Sequence, residues 1–586
     1  MAINGISFGN TILGSSVQNL KAQMADLQNQ LTSGKKSTTY SGMGANEGFA
    51  IAARAQLSNI AAYTDTMTKI NTNIGVANTA LQALSDIGTQ LQNAANSGSQ
   101  ALNSAGQTAG QQTAVAEFSS VVGILNTQAG DRYIFSGSTI YTQPVASSDL
   151  ILNGNGAGQA GLNQVISERN QADLGASGLG RLIVSSPTAT SVSVAEDASP
   201  SIYGMKLSNV TSTLTGATVS NTPATVNLAT NPADGDTFNF TFLQPDGTST
   251  TVQLTATTTV PAPAGSFEIG GSAAVTATNL NAALTAAEAS ASPFGAQLTG
   301  VSSSAAGVTI TPAQASIDLA ANPADGDTVS FTFNLPDGSS ETVQLTASSA
   351  VPTPAGSFAI GATPTATAAN LNAALTSSIG TLAKTSLVAA SAIRATHDFF
   401  DQPPQRVDLT PPVTLATATA AVNGTAANTV QWYTGDAGTG SARATSTVRI
   451  DPSATVQYGI RANEDAIRSL MESVALLAAV TTSPTDPNGA GQISALNSRV
   501  AQNLTVTPGK QSIQDIQSDL ANAQTVMQDA TARQKLTQAT MQNVVDQAEN
   551  VSTDEVASQL LALQTDLQAS YQTTALLSQL SLVKFL

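Results

Sequence analysis

An apolar stripe at alternating three- and four-residue steps runs through the last seventy or so residues, and nothing else in the chain restricts the fold as strongly. Ile513, Ile516, Leu520, Ala523, Met527 and Ala530 occupy it; Gln534 and Thr537 are polar slots; Met541, Val544, Ala548 and Val551 resume it. A step of about 3.5 residues keeps one face of a helix turned toward a partner helix, which is the seam of a supercoil. Ser552 and Glu555 then make the pattern of a capping box, so a second helix begins there. It carries Val556, Leu560, Leu563 and Leu567 and runs into an apolar end, Tyr571 to Leu586, with Leu577, Leu580, Leu582 and Phe585. Chain ends are normally frayed and polar, so an apolar one calls for a surface to cover it.

The other end mirrors this one. Leu13, Val17, Leu20, Met24, Leu27 and Leu31 form a second seam of the same period. The run from Ser33 to Gly48, with Gly34, Gly42 and Gly44, interrupts it. A longer helix then passes through Ile60, Tyr63, Met67, Ile70, Ile74, Ala77, Leu81, Leu84 and Leu91. A third, with Val115, Phe118, Val122 and Leu125 on one face, reaches to Gly130. Like helices at both ends, with a long excursion between, predict a bundle whose chain goes out, builds an outer part and returns.

Charged residues are only 10% of the chain, against about 25% in ordinary globular proteins. Gln, Asn, Ser, Thr and Ala fill the polar faces instead, and uncharged faces can be enclosed by other helices without stranding a charge. The net charge of −17 argues against nucleic acid or an anionic membrane surface as partner. Cysteine is absent, which excludes disulfides, thiolate nucleophiles and cysteine-based metal sites. The start, Met1-Ala2-Ile3-Asn4-Gly5, lacks the basic and apolar runs of a secretory signal, and no uninterrupted apolar window is long enough to span a bilayer.

Between Ser138 and Ile450 the pattern changes to short alternating runs divided by Gly, Pro and Asp, which predicts β structure. A repeat lies inside it at an offset of 91 residues: Asn231-Pro232-Ala233-Asp234-Gly235-Asp236-Thr237 returns as Asn322-Pro323-Ala324-Asp325-Gly326-Asp327-Thr328. In the first copy Thr237 to Phe242 alternates like a strand, Pro245-Asp246-Gly247 turns, and Thr251 to Leu254 returns. Short helices at Ala277–Leu284 and Ala368–Leu375 close the two units. From Val456 the chain is helical again, with Asn463 as N-cap, a Pro- and Gly-rich loop over Thr481–Gly491, and Pro508-Gly509 ahead of the last long helix. The fold class predicted is α+β. Residues 1–137 and 451–586 form the helical assembly regions. An outer β domain is made of 138–225 and 391–450, and two tandem repeat modules at 226–312 and 317–390 are inserted into it as separate beads.

Catalytic chemistry finds no complete set of parts. His397 is the single histidine, and one imidazole without cysteine gives neither a triad nor a histidine-based zinc site. Gly156 to Gly161 matches GxGxxG, but no βαβ context surrounds it and it reads as a loop. Asp234/Asp236 and Asp325/Asp327, with Asp246 or Asp337, have the oxygen chemistry for Ca²⁺; Asp-Gly before a strand is also ordinary turn chemistry, and turn is the preferred reading. Trp432-Tyr433 reads as strand aromatics packed in their own domain rather than a sugar platform. The chain is therefore expected to be no enzyme and to need neither cofactor nor metal.

Three stretches carry a family resemblance: Gln30-Leu31-Thr32-Ser33-Gly34-Lys35-Lys36, Asn126 to Gly137 through Asp131-Arg132-Tyr133-Ile134-Phe135-Ser136-Gly137, and Leu567-Gln568-Ala569-Ser570-Tyr571 with the leucine-rich end. Tyr458 to Glu464 adds to them. In order and position the chain resembles bacterial flagellins and their hook–filament junction relatives among the hook-associated proteins. The Asp131–Gly137 stretch favours the junction type; the length and the inserted modules favour a filament subunit. The resemblance implies terminal helices in the inner layers of a tube and β domains outside. It also implies secretion by type III export with a chaperone, an extracellular place in the flagellum, and partners that are copies of the chain, other hook-associated proteins and the cap. Leu13 to Leu31 and Val556 to Phe585, in the positions named above, would be the assembly interface. A rival of another class is a surface adhesin, with the helices as stalk and the β modules as glycan-binding heads.

Overall fold

The computed structural model describes the backbone over residues 4–98, 100–198, 200–222, 224–243, 249–291 and 297–583, and the side chains of these apart from 4–13, 40, 45, 243, 249, 288–291, 297–300 and 577–583. Helix accounts for 48% and strand for 19%, so the chain is α+β. Helices α1 (Asn4–Ser33), α2 (Glu47–Asn96) and α3 (Ala109–Leu125) come first, then the short strands β1 (Gln128–Ala129) and β2 (Arg132–Tyr133). Next are α4 (Ser148–Asn153), α5 (Leu162–Leu174), β3 (Leu182–Ser185), β4 (Ser191–Glu196), β5 (Lys206–Ser212) and β6 (Ala217–Thr222). The first copy of the repeat spans β7 (Thr225–Leu228), β8 (Thr237–Leu243), β9 (Ser249–Thr257), β10 (Ser266–Glu268), α6 (Ala273–Ala291), β11 (Gln297–Ser303) and β12 (Val308–Thr311). The second brings β13 (Gln314–Leu319), β14 (Thr328–Asn334), β15 (Ser340–Ser348), β16 (Ser357–Ala359) and α7 (Pro364–Lys384). After α8 (Ser386–Phe400) come β17 (Gln405–Val407), β18 (Ala421–Asn423), β19 (Thr447–Arg449) and β20 (Thr455–Gln457). The chain ends with α9 (Asp465–Ala479), α10 (Gly489–Asn503), α11 (Ile513–Glu549) and α12 (Thr553–Val583).

Two compact units result. The first is Met1–Val76 with Arg443–Tyr458 and Gln517–Leu586; the second is Ala77–Ala442 with Gly459–Ile516. In the second unit the far part of α2 buries Leu81, Leu84, Ile87 and Leu91. A Cβ on Gly88 would stand 3.3 Å from the Leu470 side chain of α9, so α2 and α9 approach closely there. Thr108 and Gln111 start α3 with a reciprocal capping box, and α3 packs along α9.

The outer parts at 138–225 and 391–450 are less β-rich than the sequence predicts, because α4, α5 and most of α8 lie in them. Helix α5 buries Leu162, Val165, Glu168, Arg169, Ala172 and Asp173 on one side. Half of that buried face is charged, so a count of apolar residues gives no helical period there. The charges are paired: Arg169 binds Asp173 and Asp398 at 2.9 Å each, Asp398 also takes Arg394 at 2.8 Å, and Arg406 reaches Glu168 at 2.6 Å. This network ties α5 to α8, and its members are satisfied, as buried charges must be.

The β modules differ in connectivity from two beads in sequence order. One four-stranded sheet runs β10-β9-β8-β11 and another β16-β15-β14-β5. Their registers correspond at the 91-residue offset: Phe240 faces Val252 in the first, and Phe331 faces Val343 in the second. Phe238, Phe240 and Phe242 pack with Leu280 of α6, while Val329, Phe331 and Phe333 pack with Leu371 of α7. The edge strand of the first sheet follows its helix, but the edge strand of the second, β5, precedes the whole first module. A boundary at 225/226 therefore cuts β5 and β6 away from β14 and β13, the strands they pair with. Residues 225–311 leave from the end of β6 and return at β13, where Thr222 stands opposite Gln314. The first module is nested inside a discontinuous second one.

Candidate functional site

The first unit contains the two terminal seams apart from Ile513 and Ile516, which fall in the second, and its most buried seam is shared by α2 and α11. Ala53, Ile60, Met67, Ile70 and Ile74 are buried on α2; Leu520, Ala523, Met527, Ala530, Val545 and Ala548 are buried on α11. The period continues through Gln534, which is 8% exposed. Its Oε1 accepts from Thr64 Oγ1 at 3.2 Å, and its Nε2 donates to the carbonyl of Ile450, beside the β19–β20 hairpin. A slot that reads in sequence as a break in the seam is a satisfied buried amide, the kind of group that fixes one register between helices.

One end of this pair is closed by charge. Arg54 of α2 forks onto Glu549 of α11, Nε to Oε1 at 2.6 Å and Nη2 to Oε2 at 2.7 Å. The Glu549 side chain is only 5% exposed. The hydrogen bond from Arg54, and then the charges of Arg54 and Lys35, hold its carboxyl below the usual range. The turn after α1 joins the same corner: Lys36 N–H donates to the Glu549 carbonyl at 2.6 Å and Val551 N–H to the Gly34 carbonyl at 3.1 Å. Gly34 has φ of +69°, a conformation that costs a side chain about 1–2 kcal/mol and glycine nothing. Two turns are thereby stitched into one, which sets α1 against α12.

Helices α1 and α12 pack antiparallel, with Lys21 Nζ over the Tyr571 ring at 5.7 Å about midway along them and the Lys35–Asn550 bridge at one end. Ser552 starts α12 by accepting from Glu555 N–H at 3.4 Å. Val17, Leu20, Met24 and Leu27 lie along α1 half-buried, and Leu31 is exposed. Opposite them Val556 and Leu567 are buried, while Leu560 and Leu563 are half-buried. Leu13, Leu577, Leu580 and Leu582 fall in the helices, but their side chains, and all of Phe585, lie outside the described residues. The contrast with α2 and α11 is in the covering: that seam is sealed, this one is partly open. Leu561, Leu576 and Tyr571 on α12, with Leu536 on α11 and Phe49 on α2, add large exposed apolar side chains to the same unit. A helix pair of this kind can do one thing chemically, which is to bury more apolar surface against further helices.

The other sequence candidates resolve into structural roles. Asp234 accepts from Thr258 N–H at 2.7 Å, Asp325 from Ser349 N–H at 2.6 Å, Asp236 from Ala233 N–H at 2.8 Å and Asp327 from Ala324 N–H at 2.9 Å. Asp337 is held by Arg499 at 2.9 Å, and Asp246 lies outside the described residues. These carboxylates cap turns, and no group of three or more metal-binding side chains occurs among the described residues. The Gly156–Gly161 stretch is a loop between α4 and α5, following a helix and not a strand. Trp432 is buried, donates from Nε1 to the Phe400 carbonyl at 2.9 Å and stacks beside Phe400 and Tyr433. His397 Nδ1 lies 3.5 Å from Glu472 Oε1, with no nucleophile on its other side among the contacts described. No helix among the described residues is long and apolar enough to cross a membrane. The residues that sequence reasoning passed over are Gln534, Arg54 and Glu549; only the unbroken heptad position of Gln534 signalled any of them.

No protein-family model matches the chain, and no curated protein matches it either.

Proposed function

We propose that the chain is a structural subunit of the bacterial flagellum, of the flagellin type, which assembles through its terminal helices and has no catalytic role. The observation that carries this reading is the partly covered α1–α12 pair, with Leu20, Leu27, Leu560 and Leu563 half-buried while the α2–α11 seam beside it in the chain is sealed. One copy presents an apolar strip, and a neighbour's different strip covers it. Such a head-to-tail contact generates an open helical assembly rather than a closed ring. The helical bundle built from both termini forms the inner layer, and the repeat modules project outward. The scarcity of charge on these helices fits enclosure by other copies. Secretion by type III export follows from the same reading.

The test is removal of Leu576–Leu586. The truncated chain fails to add to filament seeds by electron microscopy, while Trp432 fluorescence reports an intact second unit. Normal polymerisation would overturn the proposal.

A second reading, the hook–filament junction protein, is favoured by one specific contact. The Asp131–Gly137 stretch, which favours the junction type, is joined directly to Tyr458–Glu464, whose sequence is also junction-like: Gly137 N–H donates to the Ile460 carbonyl at 3.0 Å and Ala462 N–H to the Phe135 carbonyl at 2.8 Å. Copy number in isolated flagella decides between them. Thousands per flagellum mean filament; a handful mean junction.

A further inference from the structure

The 91-residue period extends beyond the strands that first reveal it. The arm β5–β6 and the arm β11–β12 are equivalent parts. Val210 faces Phe331 and Val301 faces Phe240; Val219 faces Ile317 and Ile310 faces Val226. Each pair is the other displaced by one period. The polar contacts repeat as well. Thr213 N–H donates to the Thr328 carbonyl at 2.8 Å, as Ser304 N–H does to the Thr237 carbonyl at 3.1 Å. Both arms turn at a glycine with φ of +72°, Gly216 and Gly307, whose carbonyl accepts from Ala320 and Ala229 respectively.

In sequence, each period is an arm followed by a body of four strands and a helix. In space the arms are traded. The arm of the first period completes the body of the second, and the arm of the second completes the body of the first. The connectors are short and alike, Thr222-Pro223-Ala224-Thr225 and Thr311-Pro312-Ala313-Gln314. Proline in a short connector opposes folding back as a hairpin, which favours handing the arm onward.

We propose that each module body is an acceptor surface for an arm of either period, and that it takes the arm of a second copy of this chain. The surface is the edge of β8 with β7, filled within the chain by β11 and β12, or that of β14 with β13, filled by β5 and β6. The partner is a two-strand arm with apolar residues in the register of Leu207, Val210 and Val219. Within one chain the connector holds the arm at an effective concentration of roughly millimolar. Exchange between copies therefore competes at such concentrations, or when chains fold together. Reciprocal exchange between two copies uses the same contact twice and closes as a dimer.

The absence of cysteine makes the test clean. Thr211 stands opposite Ser330 in the observed pairing; without exchange it would stand opposite Asn239, one period earlier. The full chain carrying Thr211→Cys with Ser330→Cys forms an intrachain disulfide under mild oxidation, and Thr211→Cys with Asn239→Cys does not. The reverse result would overturn the exchanged topology. Chains carrying Thr211→Cys alone and Ser330→Cys alone, refolded together at rising concentration, give a disulfide-linked heterodimer whose yield rises at least fivefold; the intrachain pair reports that refolding has occurred. A synthetic peptide of residues 297–311 suppresses that heterodimer as well as one of residues 206–222. A heterodimer yield independent of concentration, or suppression by the 206–222 peptide alone, would overturn the proposal.

Discussion

The side-chain amide of Asn281 pairs with the backbone of Val226 as a neighbouring strand would: Oδ1 accepts from the Val226 N–H at 2.8 Å and Nδ2 donates to its carbonyl at 2.8 Å. One period later Ile317 has a real strand there, with Val192 of β4 opposite it, and Asn372 turns away to Ser186 Oγ at 3.0 Å. An unpaired strand edge is a template for another chain. Asn281 shuts that edge where β4 covers its counterpart. Asn281→Ala is expected to speed amide exchange at Val226 and to give concentration-dependent dimers by analytical ultracentrifugation. Asn372→Ala gives no more dimer than the unaltered chain in the same assay. Dimer above the level of the unaltered chain from both variants, or from neither, would refute this role for the amide.

Gln534 offers a second test. Gln534→Leu keeps the volume of the seam but strands the Ile450 carbonyl, and Ile450 is 1% exposed. Leaving a buried acceptor unmet costs about 1–3 kcal/mol. Circular dichroism at 222 nm should show the helices of the first unit melting earlier in urea. Trp432, the only tryptophan, lies in the second unit, so its fluorescence transition should not move. A shift of both transitions together would contradict independent units.

The long seams were legible because helix packing repeats on the scale of a few residues. Leu520, Ala523, Met527 and Ala530 are buried where their period puts them. The cap at Ser552 and the role of Trp432 followed from local chemistry in the same way. Helix α5 was not legible, because its buried face mixes Arg169 and Asp173 with Val165 and Ala172, and the partners that make those charges tolerable come from α8. The trading of arms was invisible for a different reason. A repeat shows that Val210 and Val301 are equivalent, but either could pair with Phe240 or Phe331 without changing the sequence pattern. The half-covered state of α1 and α12 is likewise a property of the fold, since their leucine spacing equals that of a sealed seam.

His397 gives a pH test with an unambiguous readout, since it is the only histidine and its imidazole resonances stand alone. The hydrogen bond to Glu472 raises its pKa above the ordinary value of about 6.5, while burial and then Arg394 act against it. Asp398 on its own helix also raises it, and Arg468 of α9 shares Glu472 at 3.8 Å. A raised folded pKa means that the stabilisation is fully present below the unfolded value and is lost as pH rises through the folded one. The melting temperature of the second unit, read by Trp432, should therefore fall as pH rises from about 6.5 through the raised folded value, and His397→Gln should flatten that slope. An imidazole midpoint at or below 6.5 by NMR would remove the basis for it.

Nesting of the first module predicts that it can be cut out whole. Residues 223–313 leave and re-enter the second module at two residues that face each other, Thr222 and Gln314, and they carry their own core of Phe238, Phe240, Phe242 and Leu280. Replacing them by Asn-Gly joins the paired strands with a two-residue turn of the favoured type. The second core, with Val210, Phe331, Phe333 and Leu371, contains nothing from the excised segment. The shortened chain should therefore fold with its Trp432 unfolding midpoint close to that of the parent. Deleting the much shorter stretch 206–222 should do the opposite. It strips the edge strand from β14 and the partner from β13, and removes Val210, Leu214 and Val219 from the core. Large-to-small changes in such cores cost about 2–5 kcal/mol for each side chain, so the module should unfold. A chain that tolerated the short deletion and failed on the long one would show that the modules follow sequence order after all.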